Sequence, residues 1–148
     1  MQTGHAQPRE EYLTQQVLTA APQKLQLLLI EAAIRHCLRA RDDYRAGEYL
    51  AGGEPILRAQ EIVTELLSSA RQDPESALGK QVAALYAFLF RTLIEAHMKH
   101  DVRKLDDALR ILNEERETWR LVCEQIGSTR QDSRGVPAPL GGGFSFEA

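Results

Sequence analysis

The sequence predicts an all-α protein, an antiparallel four-helix bundle, and three observations carry that expectation. Four stretches repeat their apolar residues at steps of three and four, the spacing of one helical face. Short breakers rich in Gly, Pro and Asp separate them. No stretch alternates apolar and polar residues as a half-buried strand would, and no hairpin dipeptide links alternating runs. With 148 residues the chain suits one domain and can bury a real core. Helices joined by short connections then pack as antiparallel neighbours.

The elements follow in order. Residues 1–21 form a polar leader with the apolar anchors Tyr12, Leu13, Val17 and Leu18. Thr19 can cap the first helix, and Pro22 is tolerated in its opening turn. The first helix runs to about Gly47 and carries two apolar stripes. Leu25, Leu28, Leu29, Ala32 and His36 form one, and Leu27, Ile30, Ile34, Cys37 and Leu38 the other. A surface helix needs only one. Gly52-Gly53 reads as a breaker, and Glu54-Pro55 opens a second helix with Ile56, Ala59, Val63, Leu66, Leu67 and Ala70 on one face. Gln72-Asp73-Pro74-Glu75 marks the next turn and cap. A third helix over about 75–99 has Leu78, Val82, Leu85, Tyr86, Leu89, Leu93 and Ala96 as its main stripe, flanked by Ala83, Ala87, Phe90 and Ile94. Asp101 caps the fourth, whose seam Val102, Leu105, Leu109, Leu112, Arg116, Trp119, Cys123, Ile126 keeps the alternating spacing of bundle packing. Gly127 is expected to end it. The bundle domain is therefore 22–127, and 128–148, rich in Gly, Pro and Ser, is expected to be a flexible tail.

Composition excludes several classes. Net charge is −3, with Lys and Arg dispersed along the chain, so the concentrated positive face of a nucleic-acid binder is missing. No uninterrupted run reaches the roughly 18 apolar residues of a membrane helix. The opening residues are polar and acidic where a secretory signal would be basic and then apolar, so a cytoplasmic protein without membrane insertion is expected. Cys37 and Cys123 lie in helical apolar patterns and read as free thiols.

Catalytic signals are faint. No Gly-rich phosphate loop and no nucleophile elbow is present. His97 and His100 share a helix face near Asp101, but two ligands make a poor metal site; no metal and no cofactor is expected. Arg91 and His97 are spaced like the Arg/His pair of HEPN-type helical ribonucleases, in which Arg steadies phosphate charge and His moves protons. Arg116 within the fourth seam reads as a snorkelling or paired charge.

Other landmarks carry a family resemblance. Tyr12, then Val17-x-Thr19-Ala20-x-Pro22-x-Lys24-Leu25, then Leu29 and Ala33-Ile34 open the series. Ala59-Gln60-x-Ile62-Val63-x-Glu65-Leu66, Leu85-Tyr86-x-Phe88, Arg91-x-Leu93-Ile94-Glu95-Ala96 and Arg116-Glu117-Thr118-Trp119 follow in order. Over about 12–122 the chain resembles the FliS-type flagellin export chaperones. It departs from that pattern at Ile30-Glu31-Ala32, at His97 and at Glu115, where the family usually has Tyr-Asp-Gly, Asn and an apolar residue.

The resemblance implies a cytoplasmic protein that binds the C-terminal segment of flagellin, blocks premature polymerisation and delivers the subunit to type III export, with export-gate components as further partners. It implies no cofactor, and a monomer or weak homodimer. The expected groove is lined by Leu27, Ile30, Ile34 and Leu38 with Tyr86 and Phe90 of the third helix. Tyr12 and Val17 are its movable lid. The pattern alone also fits a helix at the centre of a bundle, which is apolar all round. Two alternatives remain beside the chaperone: a ribonuclease using Arg91 and His97, and a self-associating bundle whose extra stripe is a dimer interface.

Overall fold

Each apolar period becomes a helix in the computed structural model, which describes the backbone of residues 22–135 and side chains as far as Ser128. The helices are α1 Pro22–Arg45, α2 Tyr49–Ala70, α3 Ala77–Lys99 and α4 Val102–Gly135. α1 packs against both α2 and α4, α2 against α3, and α3 against α4, closing a four-helix ring. No strand occurs among the described residues. The leader, with Tyr12 and Val17, lies outside them, as do residues 136–148.

Every helix supplies the core. Ile30, Ala33, Ile34, Cys37, Ala40 and Tyr44 of α1 meet Ile56, Ala59, Val63 and Leu66 of α2. Tyr86, Leu89, Leu93 and Ala96 of α3 and Leu105, Ala108, Leu109 and Leu112 of α4 complete it. Thr92 is buried among them, and its hydroxyl donates to the Phe88 carbonyl at 2.9 Å, while the buried Tyr44 hydroxyl has no hydrogen-bond partner among the described residues.

The caps fit the termini. Ser76 Oγ accepts from Gly79 N at 2.9 Å at the start of α3. Asp101 Oδ1 accepts from Arg103 N at 2.9 Å and Lys104 N at 3.3 Å at the start of α4. Each satisfies amides that a helix N-terminus leaves open. Between them His100 turns the chain with φ 52°, its N–H bonded to the Ala96 carbonyl.

Two boundaries differ from expectation. α2 begins at Tyr49 and runs through Gly52-Gly53, both buried, and through Pro55. A Cβ on Gly52 would lie 2.6 Å from the Tyr44 ring, and one on Gly53 would lie 3.1 Å from His97 Nε2. The two glycines therefore serve close approach to α1 and α3, and do not break the helix. At the other end α4 passes Gly127 and continues to Gly135. A single helical glycine costs only about 1 kcal/mol, and the residues after it are helix-compatible.

α3 is long and apolar enough to cross a membrane by length and composition. Its stripe Tyr86, Leu89, Leu93, Ala96 is instead spent inside the bundle.

Candidate functional site

The two stripes of α1 determine which apolar surface is left for a partner. Arg41 lies one turn beyond Leu38, and its guanidinium pairs with Asp106 of α4 at 3.0 Å, so that flank turns to α4. His36 lies in the field of Glu54 and Arg58 of α2, so the other flank turns to α2. The helix sits between two neighbours, and most of its apolar surface is spent on them.

The burial of the two stripes differs. Leu27, Ile30 and Ile34 are buried, with Ile30 and Ile34 in the core cluster, so they do not line an open groove. Leu38 alone of that set reaches the surface, 37% exposed. Tyr86 is also core; its hydroxyl donates to Glu115 Oε1 of α4 at 3.0 Å. Phe90 is half-buried and packed on the core. The outward side of α1 instead carries Leu25, Leu28 and Ala32, all half-buried, while Leu29 packs inward.

The sequence held a signal for this. The Ile30–Ile34 arc continues through Ala33, Cys37, Ala40 and Tyr44 to the end of α1. The Leu28–Ala32 arc runs instead into Arg35, Arg39 and Asp42. Only an arc that stays apolar over the whole helix can face a core of the same length.

At its edge with α2 the outward strip ends on His36, a titratable ring bordered by arginines. Burial, and then the charges of Arg39, Arg35 and Arg58, hold His36 below its ordinary pKa, so its ring favours the neutral form. His36 Nδ1 and Gln26 Oε1 are buried without a hydrogen-bond partner among the described residues. From Leu25 to His36 the strip spans about 16 Å, three helical turns. An apolar strip of that length with a few polar atoms suits an amphipathic helix laid along it.

Other exposed apolar side chains, among them Leu57, Leu78, Phe88, Met98 and Leu121, are distributed over α2, α3 and α4. Scattered apolar exposure is ordinary. Arg91 is exposed, whereas His97 lies half-buried against Gly53, on a different side of α3, so the two do not converge on one cleft. His100 stacks on Tyr49, ring centroids 4.5 Å apart. Cys37 and Cys123 are free thiols, the first buried and the second half-buried.

Comparison with known proteins supplies the wider context. The family model described as flagellar protein FliS matches residues 5–126. The flagellar secretion chaperone FliS of Bacillus subtilis is 26% identical over 129 residues, covering 87% of this chain and 96% of its own. The Vibrio cholerae protein of that name is 26% identical over 104 residues, covering 70% and 76% respectively. The Salmonella typhimurium one is 24% identical over 119 residues, covering 80% and 87%.

Proposed function

We propose, from the premise that this chain belongs to the FliS family of flagellar proteins, that it is a flagellar secretion chaperone with flagellin as its client. It works by binding and not by catalysis. In the cytoplasm it holds the C-terminal segment of flagellin, keeps the subunit from polymerising and releases it to the export apparatus. The observation that supports this reading is the span of the family match, which takes in most of the leader and the bundle as far as Ile126.

The chemistry of the surface suits the role. A segment without a fold of its own needs an apolar strip against which to become helical. The outward strip Leu25, Leu28, Ala32 offers one, with Leu27, Ile30, Ile34 and Tyr86 as the buried layer that holds it in place. Leu38 and Phe90 extend the apolar surface. Tyr12 and Val17 of the leader are proposed as the lid that covers the strip when no client is bound.

The test is size-exclusion chromatography of the chain mixed with its cognate flagellin. A second mixture uses flagellin lacking its last 40 or so residues, about 60 Å of helix. Co-elution with intact flagellin only is expected. Equal co-elution with the shortened form contradicts the reading.

A further inference from the structure

The junction of α2 and α3 carries an open groove of about 520 Å³, lined by Ala70, Gly79, Ala83, Ala84 and Ala87. Small side chains on the facing flanks leave room there. Bundle interiors normally close such space with larger residues. Arg71 and Lys80 are exposed on its rim, and neither has an ion-pair partner among the described residues. Asp73 is the one carboxylate in the lining.

We propose that this groove is the docking site of the chain's own segment Phe144-Ser145-Phe146-Glu147, bound in cis. Three features select that occupant. Beyond Ser128 the only aromatic residues are Phe144 and Phe146. In an extended chain, residues two positions apart face the same side about 7 Å from each other, which is the spacing of Phe144 and Phe146 when so bound. Two rings so spaced match a groove floored by alanines. Glu147 follows directly and complements Arg71 and Lys80.

The third feature is reach. The pairs Tyr86–Glu115 and Glu95–Lys104 set α4 antiparallel to α3, so α4 runs toward the end of the bundle that holds the groove. Gly135 ends α4 about 20 Å beyond the level of Lys80, at 1.5 Å per residue. The nine residues from there to Phe144 extend to about 30 Å. That is enough to fold back and cross one helix diameter of about 10 Å. Tethering raises the local concentration of the segment to the order of millimolar, so even a weak contact is populated.

The experiment is nitrogen–proton correlation NMR on the full chain and on the full-length variant Phe144→Ser/Phe146→Ser. Both substitutions lie beyond α4 in sequence, and the circular-dichroism helix signal checks that the bundle is folded. Expected are shifts of the Ala70, Ala83, Ala84 and Ala87 amides, with those of Ala33 and Ala108 in the core unmoved. Glu147→Lys shifts the same amides by less, and all shifts persist on tenfold dilution. Superimposable groove amides overturn the proposal. So do shifts that vanish on dilution, which report the tail of a second copy. A groove that answers to Tyr12→Ser and not to the tail substitutions also overturns it, in favour of the leader.

Discussion

Tyr86 and Glu115 form a long-range contact, 29 positions apart in the chain. The phenol is buried and donates to Glu115 Oε1, tying α3 to α4. Burial first, and then the charge of Glu115, push the Tyr86 pKa up, so the hydroxyl keeps the proton it donates. Glu115→Leu leaves that donor without its acceptor. A loss of about 1–2 kcal/mol is expected in urea unfolding, partly recovered in the double variant with Tyr86→Phe. Nothing in the sequence joined these two residues, because a partner 29 positions away depends on helix register. Cys37, by contrast, was legible as a buried thiol from its apolar arc. Burial pushes its pKa up to about 12 from an ordinary 9.0. The folded chain therefore holds this proton over a range in which the unfolded chain releases it. Stability contributed by the neutral thiol is complete below pH 9 and falls between pH 9 and 12, by at most about 1.4 kcal/mol per pH unit. Unfolding midpoints measured across that range should fall less steeply in Cys37→Ala.

At the scale of elements, α1 shows what periodicity tells and what it omits. Two stripes were visible, but their angular order around the bundle axis was not, because it depends on where α2 and α4 sit. The decisive clue was longer-range: only one arc stays apolar as far as Tyr44. Paired substitutions test the assignment. Ile34→Asp places an unpaired charge in the core at a cost of several kcal/mol, and should abolish the cooperative circular-dichroism melt. Leu28→Asp sits on the outward side and should keep the melt while reducing flagellin binding at least tenfold. The opposite pattern returns the client to the Leu27–Ile34 arc. Glycines were misread for a similar reason. In isolation Gly52-Gly53 and Gly127 look like punctuation; in the fold the first pair admits the Tyr44 ring and His97, while Gly127 faces open space. Gly52→Ala should therefore destabilise by about 1–3 kcal/mol through overpacking. Gly127→Ala should stabilise by about 0.5–1 kcal/mol through helix propensity. Thermal melts of the two variants should move in opposite directions.

The whole molecule was the most legible level. Leu105, Leu109 and Leu112 pack as the spacing of the α4 seam implied, Asp101 caps that helix, and the connections are short enough to make all neighbours antiparallel. Bundle packing needs only the period, and the period is local. Which stripe of α1 stays accessible depends on the assembled ring, and there Leu27, Ile30 and Ile34 are buried while Leu25, Leu28 and Ala32 are half-buried. The central claim is that this bundle orders an apolar segment of flagellin. Binding must then bury apolar area and pay the ordering cost of the segment together. The contact is mostly apolar and the charges of the chain are dispersed, so salt should matter little. The most direct measurement is titration calorimetry with the C-terminal segment of flagellin at several temperatures and two salt concentrations. The account predicts a clearly negative heat-capacity change, helix content above the sum of the separate partners, and an affinity nearly independent of salt. A steep salt dependence with no heat-capacity change would contradict it.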